Sequence, residues 1–259
     1  MHTRIVIAVT VCLVAGVFAD PPPTKHFEVK PDEFDPAHTH LVQAAWLEGI
    51  GCPTGAKTFD GSTTGTFTDP ACPTGDPRDK KVEGLLMAKT GPTANFAAAF
   101  ARIEGVRGDP LTELGWDIRK PGTLGPTSSN DPRGSHCGAG APRWNVTVRK
   151  GSAEGLFFIG CNSPPPVQTT TAASGYVRMR WGVSPEGAPA PVIGFAQQDT
   201  AICPAGTPCD ITGLEIRSLA ILFDEGYDTG PDNFGLAVLD NIDVNGILVG
   251  KGPTDADAK

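Results

Sequence analysis

The feature that most constrains this chain is the alternation of apolar and polar side chains over residues 143–149. Trp144, Val146 and Val148 point to one side of an extended chain, and the residues between them are polar or charged. Residues 150–153 then have the composition of a turn, and residues 156–161 return as a second apolar run. Because side chains alternate with a period of two along a strand, this spacing predicts a β-hairpin.

Similar apolar segments rich in strand-forming residues recur, and turn-forming residues separate them. The 32 glycines and 25 prolines make up about 22% of the 259 residues, against an average of about 12%. We therefore expect an all-β fold, an antiparallel jelly-roll-like β-sandwich stapled by disulfides. Residues 94–103 are interpreted as strands in spite of their alanines, and residues 41–50 fit a short helix or a strand. Four residues are assigned to the inner side of the sheets: Trp144, Trp181, Ile242 and Val244.

Residues 1–19 predict a secretory signal peptide. His2 and Arg4 precede an apolar run, and the residues up to Ala19 suit cleavage after that position. The apolar stretch is shorter than the roughly 20 residues that a membrane-spanning helix needs. We therefore expect a secreted, extracellular protein with no membrane span after cleavage.

The rest of the chain predicts one domain. Proline and charge dominate residues 20–40, which we interpret as a flexible lead-in. No repeat or shift in composition divides residues 41–249, so they predict a single β-sandwich, and residues 250–259 predict a disordered tail. The formal net charge is −8, and an acidic surface repels phosphate backbones, so nucleic acid is not an expected partner.

The cysteines predict a disulfide framework. Of the seven, Cys12 lies in the signal peptide, and six remain in the exported chain. An even number of cysteines in such a chain favours three disulfides. The chain has no Cys-x-x-Cys spacing, which argues against a zinc site. Closing short loops costs the least entropy. We therefore expect neighbours in sequence to pair, as Cys52–Cys72, Cys137–Cys161 and Cys203–Cys209.

Tyr176, Arg178 and Arg180 share one side of a predicted strand, and apolar residues occupy the other side. We expect the polar side to be exposed, which makes these three residues candidates for binding a ligand such as a sugar ring. His136 is a fourth candidate, because it lies in a loop of small residues, 134–140, that allows a ligand close to the backbone.

Acidic residues gather late in the chain. Calcium takes six to eight oxygen ligands, and carboxylates and carbonyls in a loop can supply them. The sequence therefore predicts a structural Ca²⁺ ion, with a solvated acidic turn as the alternative. Its candidate ligands are Asp224, Glu225, Asp228, Asp232 and Asp240.

Residues 219–226 and 235–246 resemble the final strands of jelly-roll modules of the galactose-binding and concanavalin-like types. In those families the last strand often carries Asp-Asp or Asp-Asn before a hydrophobic pair, and one of these acids frequently helps to hold a structural calcium. Asp240 and Asn241 occupy the matching places here. The chain as a whole resembles secreted bacterial proteins, which implies no activity. The glycosidase pattern of concanavalin-like enzymes, Glu-x-Asp-x-x-Glu on one strand, is absent.

Three functions fit these features. The first is a non-catalytic extracellular binding module, with a glycan as partner and calcium as a structural ion. The second is a cell-surface structural or interaction protein without a small-molecule ligand. The third is a secreted hydrolase that uses His136 with Asp117 or Glu113, although the chain has no Gly-x-Ser-x-Gly, no His-Glu-x-x-His and no phosphate-binding glycine loop.

Overall fold

The protein is described by a computed structural model over residues 26–59, 61–69, 72, 75–90, 97–120, 142–160, 165–169, 174–224 and 235–253. Sixteen β-strands and no helix occur in these ranges. The described part of the chain therefore contains no helix that is long and apolar enough to cross a membrane.

The strands form two large antiparallel sheets and a small hairpin. Sheet I has the spatial order β1 (Glu28–Phe34), β6 (Ala98–Glu104), β14 (Glu215–Phe223), β8 (Arg143–Lys150), β9 (Ala153–Ile159), β12 (Ile193–Ala196) and β13 (Pro208–Asp210). Sheet II has the order β10 (Val167–Gln168), β11 (Val177–Trp181), β7 (Leu114–Arg119), β15 (Gly235–Val244), β5 (Gly84–Lys89) and β2 (Val42–Leu47), and β16 (Ile247–Val249) pairs with β15. The separate hairpin consists of β3 (Lys57–Phe59) and β4 (Thr64–Thr66).

Strand pairs are nested in the sequence, so that an outer pair lies in one sheet and the pair that it encloses lies in the other. β1 pairs with β6 in sheet I, while the strands that follow and precede them, β2 and β5, pair with each other in sheet II. Every strand pair is antiparallel, as in β8 and β9, which form the predicted hairpin. The predicted all-β class, a jelly-roll-like sandwich of antiparallel strands, is confirmed.

The core lies between the inner faces of the sheets and centres on three tryptophans. The rings of Trp116 in sheet II and Trp144 in sheet I stack with centroids 4.9 Å apart, and Trp181 meets Trp116 edge-on at 5.1 Å. Such pairs stabilise a core beyond the apolar area that they bury. Ile242 and Val244 are also fully buried in this core, so the inward assignments are confirmed.

A β-bulge interrupts the alternation of β15. The register between β15 and β7 shifts between Asp240 and Asp243, and Asn241 has a positive φ of 45°. Leu239 and Ile242 both belong to the core, so two residues instead of one separate these inward side chains. A bulge inserts one extra residue in this way. It places Asp240 and Asn241 together on the outer side of sheet II.

The chain is ordered beyond the predicted limits of the domain. Residues 28–34, assigned to a flexible lead-in, form β1 and pair with β6, so the prediction is wrong there. The strand is fixed because Val29 is fully buried, and Pro31 is tolerated because β1 is an edge strand. Residues 250–253, assigned to a disordered tail, are also placed, with Gly250 buried. The signal-peptide prediction lies outside the described residues.

Two predicted disulfides are confirmed. Cys52 is bonded to Cys72 and Cys203 to Cys209. The third predicted pair, Cys137–Cys161, lies outside the described residues.

Replacing both Cys52 and Cys72 with alanine should lower the free energy of unfolding by about 3 kcal/mol, because the bond closes a loop with a sequence separation of 20. The same change at Cys203 and Cys209 should cost about 2 kcal/mol, since that separation is only 6. Urea unfolding followed by tryptophan fluorescence measures both losses. A larger loss for the second pair would contradict the expectation.

Candidate ligand-binding site

Tyr176 is not a surface residue. Its side chain is fully buried, its hydroxyl donates a hydrogen bond to the carbonyl of Ile50 at 2.6 Å, and Arg119 lies over its ring at 5.4 Å. Burial raises the pKa of the phenol well above its ordinary value. The prediction that Tyr176 offers an exposed ring to a sugar is therefore wrong.

The two arginines predicted beside Tyr176 are held by acids. Arg178 is buried, and its guanidinium donates to the carboxylate of Asp243 at 2.6 Å and to the carbonyl of Asn241 at 2.8 Å. Arg180 is partly exposed and donates to Glu113 at 2.6 Å. Both arginines therefore have a structural role, because their ion pairs connect strands of sheet II.

The outer face of sheet II is covered by the segment that leads from β2 to β5. Cys52 and Cys72 pack with Tyr176 and Val238 in a second apolar cluster on this face. Tyr176 and Arg178 are therefore buried although they lie on the polar side, whereas Arg180 remains partly exposed. The sequence pattern shows that this side is polar, and it cannot show that a distant segment lies over it.

Asp240 anchors the covering segment. One carboxylate oxygen accepts a hydrogen bond from the backbone N–H of Cys52 at 2.6 Å, and the other accepts from the N–H of Asn241 at 2.5 Å. The Asn241 side chain donates to Asp117 at 2.7 Å and accepts from the N–H of Asp76 at 3.2 Å. The two buried residues that the bulge turns to the outer side of sheet II thus bind the covering segment at Cys52 and at Asp76.

This buried network holds more carboxylates than cations. Burial raises the pKa of Asp117 to about 6 and the pKa of Asp243 to about 7, although the Arg178 guanidinium acts in the opposite direction on both. Burial also raises the pKa of Asp240 well above its ordinary value, against the two backbone N–H groups that favour its charged form. The network therefore retains protons at pH values where exposed aspartates have lost them.

The predicted calcium ligands do not meet in one described site. Both carboxylate oxygens of Asp224 are bound by Arg143, at 2.7 and 2.8 Å. The Asp224 carbonyl lies 3.5 Å from the ammonium of Lys89. The backbone of Lys89 pairs with Gly235, the first residue of β15. Asp240 lies five residues, roughly 16 Å, further along β15. Asp240 is therefore not a partner of Asp224. Three further candidates lie outside the described residues: Glu225, Asp228 and Asp232.

One other grouping has metal-ligand geometry. The sulfur atoms of Cys52 and Cys72 and a carboxylate oxygen of Asp117 all lie within 4.8 Å of one another. The sulfurs are joined in a disulfide, and only thiolates are effective metal ligands. This grouping therefore does not form a metal site in the oxidised protein.

The candidate hydrolase residues are not assembled among the described residues. His136 lies outside them, Asp117 is fully buried beneath the covering segment, and Glu113 is bound by Arg180. A general base must reach the proton that it abstracts, within about 3 Å or through one water. Asp117 has no access to a substrate in this state.

The outer face of sheet I carries a row of partly exposed side chains. Phe195 of β12 lies directly opposite Phe158 of β9, which lies opposite Asn145 of β8, which in turn lies opposite Ala220 of β14. All four have intermediate exposure. Adjacent strands are about 4.8 Å apart, so the two phenyl rings are neighbours and form a small aromatic platform. We call Phe158, Phe195 and Asn145 the sheet I platform.

Polar groups border the sheet I platform. The guanidinium of Arg143 lies over the Phe158 ring at 4.8 Å and is fixed by its two bonds to Asp224. The side-chain oxygen of Asn145 is buried and accepts no hydrogen bond within the described part of the chain. A buried acceptor without a donor is costly, so this oxygen marks a place where the structure leaves a polar group unsatisfied.

Most of the cations on the strands of sheet I are balanced by acids. Five of them each have a carboxylate partner within 3.2 Å, in the pairs Lys30–Glu104, Arg102–Asp32, Arg143–Asp224, Arg149–Glu215 and Arg217–Glu154. A face whose charges are paired in this way does not select a strongly charged ligand.

The sequence contains one signal for this platform. Phe157 and Phe158 are consecutive in a strand, so only one of them can point into the core. Phe157 is the buried one. Asn145 is likewise on the polar side of the alternating residues 143–149. What the sequence does not show is that Phe195, from a strand 37 positions later, completes the pair.

No known family model matches this chain, and no curated protein matches it. Two solved structures are similar to it over most of its length. One is a family 11 carbohydrate-binding module from Clostridium thermocellum in complex with a beta-1,3-1,4-mixed-linked tetrasaccharide, with 12% identity, 85% of this chain and 90% of that chain covered, and a TM-score of 0.34. The other is the family 11 carbohydrate-binding module of the cellulosomal cellulase Lic26A-Cel5E from the same organism, with 10% identity, 88% and 91% coverage, and a TM-score of 0.34. These values are too low to transfer a property of those modules to this chain.

The buried acids should make the protein less stable as the pH rises. Each raised pKa means that the folded state binds a proton more tightly than the unfolded state, so stability falls between about pH 4 and pH 7 and then levels off. For Asp117 alone, a rise from 3.8 to about 6 corresponds to a loss on the order of 3 kcal/mol. Urea unfolding across this pH range measures the slope.

Two aspartate variants separate the buried acids from the rest of the protein. Asp240→Asn should reduce the slope of stability against pH, because it removes one of the raised pKa values. Asp199→Asn alters an exposed residue and should leave the slope unchanged. A stability that rises from pH 5 to pH 7, or equal slopes in both variants, would contradict the assignment.

Proposed function

We propose that this protein is an extracellular, non-catalytic binding module that holds a neutral glycan on the outer face of sheet I. The observation that carries this proposal is the cross-strand pair of partly exposed phenylalanines, Phe158 and Phe195, beside the unsatisfied oxygen of Asn145. Flat aromatic rings offer the apolar face of a sugar a large contact area, and the partly exposed Asn145 places a polar side chain beside them.

The difference between the two sheets supports the choice of face. The outer side of sheet II is closed by the segment that contains Cys52 and Cys72, and its polar groups are bonded to one another. The row from Ala220 to Phe195 on sheet I keeps intermediate exposure along its length. A ligand that approaches the described part of the molecule therefore meets apolar and hydrogen-bonding groups together on sheet I.

The paired charges support a neutral ligand. The cations nearest the platform, Arg143 and Arg102, are bound to Asp224 and Asp32. A sugar without charged substituents leaves these pairs intact, whereas an anionic sugar would compete with the carboxylates for the arginines. Two disulfides are consistent with an oxidising, extracellular environment.

Replacing Phe158 with alanine should weaken glycan binding roughly tenfold, which equals about 1.4 kcal/mol, because the change removes one ring of the pair. A glycan array with the wild-type domain identifies the ligand, and calorimetry with that ligand measures the change in Kd. Phe34→Ala is the matched control, since Phe34 is an exposed phenylalanine (52%) on edge strand β1 and lies outside the platform. A blank array, or an equal loss for both variants, would contradict the proposal and favour a protein partner on the same face.

The structural calcium ion remains part of the proposal on the acidic residues that follow β14, without Asp240. A ligand that binds only the folded state raises stability by about 2.7 kcal/mol at a concentration of 100 times its Kd. The melting temperature should therefore rise with Ca²⁺ and fall with a chelator, and Asp232→Asn should reduce the difference. An unchanged midpoint in wild-type protein would remove the ion from the proposal.

A further inference from the structure

A cavity of about 210 Å³ lies apart from the sheet I platform, where three segments meet. Its wall is formed by the residues that lead into β1, by the segment that covers sheet II, and by the residues that follow β16. The lining residues that matter here are His26, Glu28, Arg78, Lys251 and Gly252. The volume is below the roughly 300–1,000 Å³ of pockets for drug-sized ligands, so it suits a single small ring.

The wall after β16 is fixed by the body of the protein. The N–H of Gly252 donates to the carboxylate of Glu83 at 2.9 Å, and the N–H of Gly250 donates to the buried carboxylate of Asp76 at 3.4 Å. A Cβ atom on Gly252 would lie 3.0 Å from the ring of Trp46, so this glycine allows the backbone to lie close against the indole. The position of Lys251 between these anchors is therefore set before any ligand arrives.

The guanidinium of Arg78 is also held in place. Its Nε and Nη2 donate to the two oxygens of Asp76 at 3.0 and 2.8 Å, and the Asp76 side chain is almost fully buried. The Arg78 side chain remains 39% exposed and lines the cavity. An arginine oriented by a buried carboxylate presents its outward edge in a fixed direction, which suits the planar geometry of a carboxylate ligand.

Lys251 is the second cation that lines the cavity, beside Arg78. Its ammonium donates to the carbonyl of Gly252 at 3.3 Å, and no carboxylate pairs with it within the described residues. Two of the acids at the wall have cationic partners: Asp76 is bound by Arg78, and Glu28 lies 3.0 Å from Lys30, which also pairs with Glu104 at 2.8 Å. Lys251 is therefore a cation whose counter-charge can come from a ligand.

The negative charge of Glu28 restricts which anions the cavity can bind. Glu28 lines the same cavity, and its carboxylate is an acceptor only. A doubly charged anion such as phosphate is disfavoured beside it. A ligand with one carboxylate and several hydroxyl groups can place the carboxylate against Lys251 and Arg78 and donate a hydroxyl hydrogen bond to Glu28.

We propose that this cavity binds a single sugar acid, a hexuronate, with Lys251 and Arg78 on its carboxylate and Glu28 on a hydroxyl. This site is independent of the glycan platform, because Glu28 lies four strands away from Phe158 in sheet I, roughly 19 Å at 4.8 Å per strand.

Calorimetry or NMR titration with D-glucuronate, with D-glucose as the neutral probe and inorganic phosphate as the doubly charged probe, tests the proposal. Glucuronate should bind at least tenfold more tightly than either probe, and its Kd should rise with salt because the contact is between charges. Lys251→Gln should raise the Kd for glucuronate about tenfold. Lys150→Gln, at an exposed lysine at the end of β8, should change it less than twofold.

The possible results each decide the question. Equal binding of glucose and glucuronate, tighter binding of phosphate, or equal effects of the two lysine variants would overturn the hexuronate site. Loss of glucuronate binding in Lys251→Gln with an unchanged melting temperature would support it. Phe158→Ala should leave glucuronate binding intact, so a failure of the platform and a failure of this cavity are distinguishable.

Discussion

The carboxylate of Asp240 accepts hydrogen bonds from the backbone N–H groups of Cys52 and Asn241, and most of sheet II depends on that contact. It joins a strand in the middle of the sheet to a segment almost 190 positions earlier in the chain. Because the contact holds that segment over the sheet, Tyr176 and Arg178 are buried instead of exposed to solvent. The ion pair of Arg178 with Asp243 is then sheltered from water. Removing one partner of such a buried pair is costly, because it leaves an uncompensated charge.

The period-two pattern was enough to predict the all-β class, the four inward residues and the hairpin of β8 and β9, but it missed β1, whose residues are rich in proline and charge. It was not enough for the outer faces, because polarity does not distinguish a solvated face from one covered by another segment. Asn241 shows the same limit on a smaller scale. Strict alternation from Leu239 would point Asn241 inward, and the bulge turns it outward, where its amide finds Asp117 and the N–H of Asp76.

The candidate site was missed for a related reason. Tyr176 was predicted to be exposed because it shares one side of the strand with two arginines, yet tertiary packing decides whether such a side is open. The platform on sheet I depends instead on Phe195, which reaches Phe158 only when β12 joins the edge of the sheet beside β9. Strand order in a nested sandwich is set by long-range pairing, which short-range patterns do not encode.

The described chain begins and finishes at the same corner of the sandwich, since His26 and Pro253 line one cavity. The two ends could therefore be bridged by a short linker, and a circularly permuted version could be opened at the exposed turn around Gly151 without moving any strand. By the same geometry, a domain joined directly at His26 or Pro253 would start beside β1, four strands removed from the phenylalanine pair.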